Sequence, residues 1–296
     1  MANQEDIKQR NWLRYTKLYF VISFIFLVSG VYAIFSWGLP LGLDFVGGAI
    51  VDYKIQNGEQ IDSLKDKFEE IKIQIEQVQT SEDRLSIKTR TLNNDEQKLI
   101  FEIAKDLGIE QLSLQNVGPS VAPEMIKKTA IAIIMAGGGI LFWVAIQFKK
   151  IIFGIAAILA TAHDTTILIG SFAILGKFFD AKIDFLFVTA VLTTLSFSVH
   201  DTIVVFDRVR EIQNKHGGEI ENVVNRAVTE TMRRSIINSL TIIIMLVSLV
   251  VFGGATIRWF ATALLIGAIA GTYSSPFVAA PLYVKLSRLQ KKLKKK

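Results

Sequence analysis

The chain has 296 residues, 51% of them hydrophobic, with a formal net charge of +6 and no cysteine. The lack of cysteine excludes disulfide frameworks, thiol nucleophiles and cysteine metal sites, and His163, His200 and His216 show no metal-ligand spacing. The apolar residues are gathered into blocks of about twenty, the length that crosses roughly 30 Å of hydrocarbon, so the composition is that of a membrane protein.

Residues 1–17 form a basic tail carrying Lys8, Arg10, Arg14 and Lys17, and the first apolar block follows at 18–36. This block is longer than the apolar core of a cleaved signal and has no small-x-small cleavage site, so it is expected to be a retained span. From 37 to 128 the composition turns polar and charged. Alternation and amphipathic periods there predict strand 49–55, helix 61–71, strand 73–79, strand 84–90, helix 95–107 and strand 111–117. The first helix places Ile61, Leu64, Phe68 and Ile71 on one face, and the second Leu99, Ile103 and Leu107. The order βαββαβ is the ferredoxin-like arrangement. Its acids lie on solvated helix faces and it has no glycine-rich phosphate loop, so a structural or protein-binding role is expected.

Five further blocks follow at 129–148, 151–175, 185–206, 236–252 and 260–284, within a region 129–284 that includes a polar loop 207–235, and the chain closes on a basic tail, 285–296. The fold class expected is a membrane α-helical bundle of six spans plus a small α+β ferredoxin-like (βαββαβ) extracytoplasmic domain. The basic segments, including Lys149 and Lys150, all fall on one side of six spans, which the positive-inside rule assigns to the cytoplasm with both termini. That reading accounts for the charge without nucleic acid.

Asp201 lies near the end of the apolar run 185–206. An ionisable group inside a span costs roughly 2.5 to 3.5 kcal/mol on insertion scales and is read as functional. Thr194, Ser198, Asp201 and Arg208 share one helix face, a polar stripe expected to face protein or water. Asp164 is a second intramembrane acid, with Thr161, Leu168 and Ser171 on its face; function and a structural interhelical hydrogen bond are both open for it. His163 and His200 each precede an aspartate, but neighbouring side chains on a helix diverge by about 100°, so neither is expected to pair with its own acid. Ala263, Gly267, Gly271 and Ser275 recur every four residues, a small-residue face for close helix packing within this chain or against another.

The string Leu41-Gly-Leu-Asp-Phe-Val-Gly-Gly48 after the first span resembles the opening of the SecD and SecF subunits of the bacterial Sec protein-export machinery. Val117-Gly-Pro-Ser-Val121, Ala162-His-Asp164, Asp201-Thr-Ile-Val-Val-Phe-Asp-Arg-Val-Arg-Glu211, Phe252-Gly-Gly254 and Gly271-Thr-Tyr-Ser-Ser275 extend the resemblance in order along nearly the whole chain. One six-span unit with a small outer domain resembles SecF rather than SecD. Departures include His200 where the family commonly has asparagine, Arg234-Ser-Ile-Ile-Asn-Ser239 in place of Arg-Thr-x-x-Thr-Ser, and Ile212 in place of asparagine.

The resemblance implies a proton-driven subunit of the resistance-nodulation-division superfamily. It would work with SecD, beside the SecYEG channel, on a preprotein in the bacterial cytoplasmic membrane, in contact with membrane lipid and with no cofactor, metal or enzymatic reaction. It matches Asp201 to the proton carrier and Arg234 to the arginine opening the fifth span, with Asp164 as a supporting acid. Asp44, Phe45, Gly47 and Gly48 belong to the opening family motif; the local reading of Asp44 and the glycines is a bend that joins span to domain. Asp201 lies about 7 Å into the membrane at 1.5 Å per residue, within reach of Arg234. Paired with that cation it is expected to stay ionised, and separated from it in a dry site to take up a proton. Arg234, Asn238, Thr241, Met245 and Ser248 share a face that would line a hydrated path. The alternative function is half of a proton-driven exporter of small molecules or lipids. An intramembrane aspartyl protease is disfavoured, because neither acid stands in Gly-x-Gly-Asp.

Overall fold

A computed structural model describes residues 11–55, 58–81, 83–118, 121–148 and 151–293. Lys8, Arg10, Lys149, Lys150, the lysines at 294–296, and Pro119 and Ser120 of the expected motif lie outside the described residues. The chain divides into two compact units, one formed by Leu41–Ile131 and one by Met1–Pro40 with Ala132–Lys296.

The Leu41–Ile131 unit opens with a single-turn helix α2 (Leu43–Val46) and continues as β1 (Gly48–Lys54), α3 (Gly58–Glu70), β2 (Ile75–Ser81), β3 (Arg84–Thr89), α4 (Asn94–Asp106) and β4 (Glu110–Val117). The strands form one antiparallel sheet in the order β2-β3-β1-β4, compatible with the ferredoxin-like arrangement. Alternation on β1 buries Ala49, Val51 and Tyr53 against Leu64 and Phe68 of α3 and Ile100 and Ala104 of α4. The buried stripe of α4 is therefore centred one residue further along than the sequence pattern indicates. Leu99 is exposed, while Ile103 and Leu107 lie at the margin of the core.

Entry into β1 requires glycine. Gly47 and Gly48 have φ of +78° and +110°, and a Cβ on Gly48 would lie 2.8 Å from the carbonyl oxygen of Thr89. Helix α4 begins with a reciprocal cap: Asn93 Oδ1 accepts from the Glu96 amide at 2.8 Å, and Glu96 Oε2 accepts from the Asn93 amide at 2.8 Å. Arg90 completes the arrangement with a bidentate pair to Glu96 at 2.5 and 3.1 Å.

In the other unit a 3-10 turn, Trp12–Tyr15, leads into α1 (Thr16–Trp37). The later helices are α5 (Val121–Phe148), whose first turns belong to the sheet unit, α6 (Ile151–Phe179), α7 (Phe185–His216), α8 (Ile220–Phe252), α9 (Ala255–Ser274) and α10 (Ala280–Leu293). A π-helical turn, Ser275–Ala279, joins α9 to α10. Among the described residues, six helical stretches are long and apolar enough to cross a membrane, the sixth running through α9 and α10. Helical structure suits this solvent because every backbone polar group is satisfied within its own segment.

The region expected as a polar loop, 207–235, is instead almost wholly helical. Helix α7 has 32 residues and α8 has 33, about 48 and 50 Å at 1.5 Å per residue, so both outrun the hydrocarbon. They are joined only through Gly217, Gly218 and Glu219. Ion pairs hold the extension: Arg208 contacts Glu211 and Glu230, and Arg226 contacts Glu230 at 2.8 Å. Charged residues marked this stretch as leaving the membrane, but leaving the membrane does not end a helix.

The packing separates central from peripheral spans. Half of the apolar window of α6 and of α7 is buried, against 17% for α1 and α8 and 6% for α5, so α6, α7 and the α9–α10 stretch form the middle. An aromatic cluster unites Phe148, Phe153, Phe206 and Tyr283, with Phe153 stacked on Tyr283 at 4.2 Å between centroids. Small residues set the spacings elsewhere. The face at Ala263, Gly267, Gly271 and Ser275 meets α7 of the same chain, where a Cβ on Gly267 would strike Thr194 and one on Gly271 would lie 3.2 Å from Ser198. Gly170 of α6 crosses Gly30 of α1 so closely that an added Cβ would stand 2.4 Å from the Gly30 Cα.

Two predictions follow from this packing and capping. Gly170→Ala should destabilise the bundle by roughly 1–3 kcal/mol, as overpacking does. Gly30→Ala, whose added Cβ meets Gly170 at 3.1 Å, should cost less, and thermal unfolding of the two variants in detergent tests that order. In the sheet unit, the Arg90 pair and the Asn93 amide hold the Glu96 carboxyl below the usual carboxylate range. A lowered folded-state value means stabilisation that is complete above the usual carboxylate range and lost as pH falls from there through the lowered value. Protection factors for hydrogen exchange in the first turn of α4, corrected for the intrinsic rate at each pH, should fall with acid, and Glu96→Gln should flatten that dependence.

Candidate functional site

Three central helices converge on Asp164. The residue is only 6% exposed, and its Oδ2 accepts from Ser198 Oγ of α7 at 2.5 Å and from Ser274 Oγ of α9 at 2.6 Å. These lengths are those of hydroxyl-to-carboxylate hydrogen bonds. Oδ1 lies 2.8 Å from Nδ1 of His163, itself buried. Contrary to expectation, His163 does pair with its own aspartate. The 100° divergence applies where side chains leave the backbone, and the imidazole and carboxylate torsions bring their tips together. Nε2 of His163 is buried without a hydrogen-bond partner among the described residues.

Asp201 stands on α7 one turn beyond Ser198 and is 4% exposed. The expected stripe is realised through Thr194, Ser198 and Asp201, all buried, while Arg208 lies further along in the ion-pair network. Ser235 of α8 reaches the Asp201 carboxyl, but Oδ2 has no hydrogen-bond partner among the described residues. Next to it Thr202 Oγ1 meets Ser275 Oγ at 2.9 Å, at the first residue of the π-helical turn. Such turns frequently occur at functional sites. Polar residues of α6, α7, α8 and α9 and of the π-helical turn thus gather in separate hydrogen-bonded groups inside an otherwise apolar bundle.

Arg234 does not join it. Its side chain is exposed and makes no ion pair with Asp201 among the described residues, because Ser235 occupies the position on α8 that faces the acid. Asn238, Thr241, Met245 and Ser248 are exposed with Arg234, so the polar face of α8 points away from the bundle rather than lining an internal path. His200 is likewise exposed. Asp44, Phe45, Gly47 and Gly48 belong to the sheet unit: Asp44 opens the single-turn α2, Phe45 is buried, and the glycines make the bend into β1. Ser198, Ser274, Ser235 and Ser275 are site residues that the two acids alone did not reveal. Ser198 and Ser275 lay on recognised polar or small-residue faces, whereas Ser235 and Ser274 stood only within the family strings, and the partners of all four depend on helices distant in sequence.

A six-span bundle with acids buried at its centre and one small α/β unit after the first span defines a class of membrane transport subunit. The SecD/SecF protein export membrane protein family, in its C-terminal portion, matches residues 97–289. SecF from Thermobaculum terrenum is 36% identical over 92% of each chain, and SecF from Calditerrivibrio nitroreducens is 33% identical over 95% of each. The crystal structure of SecDF from Thermus thermophilus superposes with a TM-score of 0.83 at 26% identity, covering 97% of this chain and 40% of that longer one. This chain belongs to the SecD/SecF protein export family.

The shared acceptor at Asp164 makes a stability prediction. Ser198→Ala and Ser274→Ala should each cost about 1 kcal/mol, since interhelical hydrogen bonds in membranes average ~0.6 and reach ~1.7. The double variant should lose more than the sum, because the last donor to a buried Oδ2 is then gone. A thermal-unfolding double-mutant cycle in bicelles tests this; strict additivity would mean that another group takes over.

Proposed function

We propose that the chain is a SecF-type subunit of the Sec translocase that works with a SecD subunit, couples the proton-motive force to a late step of preprotein export beside the SecYEG channel, and has both termini in the cytoplasm. The observation that carries this reading is Asp201, a carboxyl buried in the bundle with one oxygen unpartnered among the described residues, in a chain that aligns with SecF relatives over more than nine-tenths of its length. The Thermus thermophilus SecDF chain is more than twice as long as this one, which supports a SecD partner for the remainder.

A buried acid that carries protons must change partners as it changes charge. Ionised, it needs donors or a cation; protonated, it needs an acceptor. Asp201 has Ser235 for a neighbour, and a hydroxyl serves either state because it both donates and accepts. Arg234 is the adjacent residue on α8, so a turn of that helix by about 100° would exchange hydroxyl for guanidinium at the acid. Few of the side chains in the apolar window of α8 are buried, so a turn there would disturb few buried groups. Proton uptake and release at Asp201 would then be tied to rotation of α8, and Asp164 with His163 would keep α6, α7 and α9 in register while it happens. No cofactor enters this scheme.

Asp201→Asn should abolish stimulation of preprotein export by the proton gradient while leaving assembly with SecD intact, measured in reconstituted membranes. Arg234→Gln should also remove the stimulation, and Arg234→Lys should restore part of it by returning the charge. Full gradient stimulation in Asp201→Asn would rule out this residue as the proton carrier.

A further inference from the structure

A second feature of the bundle lies away from the buried acids and is independent of the proton scheme. A cavity of about 650 Å³ opens between the start of α1, the start of α8 and the face of α10, within the size range of roughly 300–1,000 Å³ typical of small-ligand sites. Five cationic side chains line it, Arg14 and Lys17 from the α1 segment and Lys285, Arg288 and Lys292 from α10, with Glu221 as the one acid. Glu221 is already engaged by Arg288. Arg14, Lys17, Lys285 and Lys292 have no ion-pair partner among the described residues. Like charges gathered around one concavity repel unless an anion joins them.

The walls are built rather than incidental. The Leu13 amide donates to Asn225 Oδ1 of α8 at 3.0 Å, and Trp12 Nε1 donates to Thr229 Oγ1 at 3.1 Å, which pins the α1 segment beside α8. On α10 the lining residues Pro281, Val284, Lys285, Arg288, Leu289 and Lys292 fall at helical spacings of three, one, three, one and three, a single face. That face grades from apolar to cationic along the helix. Trp12, the exposed Tyr15, and Tyr19 flank the lining residues of the α1 segment, amphipathic aromatic residues of the kind that mark a membrane–water interface.

We propose that this cavity is a binding site for the phosphodiester headgroup of an anionic phospholipid. The cations of α1 and α10 would clamp the phosphate, and the apolar surface of Leu13, Pro281 and Val284 would lie along the adjoining acyl chain. Charge complementarity, the depth marked by the aromatic residues and the apolar-to-cationic gradient together fit a lipid better than a free anion, which has no use for the apolar wall. Basic pockets between helices at a membrane surface bind headgroups by the same physics.

The test uses the full chain in complex with SecD, reconstituted in bilayers of equal phosphatidylcholine and phosphatidylglycerol, with retained lipids counted by native mass spectrometry. Wild type should retain phosphatidylglycerol in preference to phosphatidylcholine. The Lys17→Gln/Lys285→Gln/Lys292→Gln variant should lose that preference by roughly tenfold or more. A control removing the same charge from the sheet unit, Lys65→Gln/Lys98→Gln/Lys105→Gln, should retain it, and matching thermal unfolding of both variants excludes misfolding. Inorganic phosphate should not displace the retained lipid. Equal retention of the two lipids by wild type, an unchanged preference in the cavity variant, or displacement by inorganic phosphate would each overturn the proposal, the last in favour of a free-anion site.

Discussion

The Asp164 carboxylate is the interaction on which the rest of the bundle depends. Ser198 and Ser274 donate to one of its oxygens and His163 meets the other, so α6, α7 and α9 share a single buried acceptor. No water in the hydrocarbon can substitute for these donors, and a displacement of any of the three helices would leave a polar group unsatisfied. Position along the helices is thereby defined, and the neighbouring glycines set the distance between them. Gly267 and Gly271 let α9 lie against Thr194 and Ser198, which brings Ser274 within hydrogen-bonding reach of α6. Small residues and one shared acid thus act together, neither being sufficient by itself.

Asp201 differs in kind although it lies only one turn from Ser198 on α7. Asp164 is satisfied from several sides; Asp201 keeps one oxygen without a hydrogen-bond partner among the described residues and faces α8, whose apolar window is mostly unburied. This contrast suits the proposed division of labour, with a fixed acid that maintains the central helices and a second acid whose surroundings are free to change. The exposed polar face of α8, from Arg234 to Ser248, belongs to the same picture. A row of Arg234, Asn238, Thr241 and Ser248 is unfavourable against lipid, and the proposed SecD subunit would supply polar contacts for it. The lipid site proposed between α1 and α10 lies on another surface, so lipid binding and proton transfer are separable.

The sheet unit was legible almost element by element, because alternation of period two and amphipathy of period 3.6 are local signals. Its main error, Leu99 in place of Ile100 at the centre of the buried face, arose because several apolar residues border the stripe of α4 and only the sheet beneath selects among them. The spans were legible by length and hydropathy. The α7–α8 hairpin was not, since charge reports where a helix leaves the membrane and says nothing of where its hydrogen bonding ends. At the site, both acids stood out as charges in apolar runs, but their partners did not. His163 was assigned away from Asp164 by angular reasoning that side-chain torsions override, and Arg234 was assigned to Asp201 by proximity in depth where azimuth about α8 decides.

The amino-acid sequence by itself determined six spans, an inserted α/β unit, two buried acids and the family to which such a series of motifs belongs, because these follow from local composition, periodicity and short ordered strings. Tertiary structure alone decided which hydroxyls reach which carboxylate, that the small-residue face of α9 packs on α7 of the same chain, that Ser235 rather than Arg234 meets Asp201, and that cations separated by more than 260 residues line one cavity. Those contacts join helices far apart in the chain, and their geometry depends on the rotation and spacing of packed helices, which no single segment encodes.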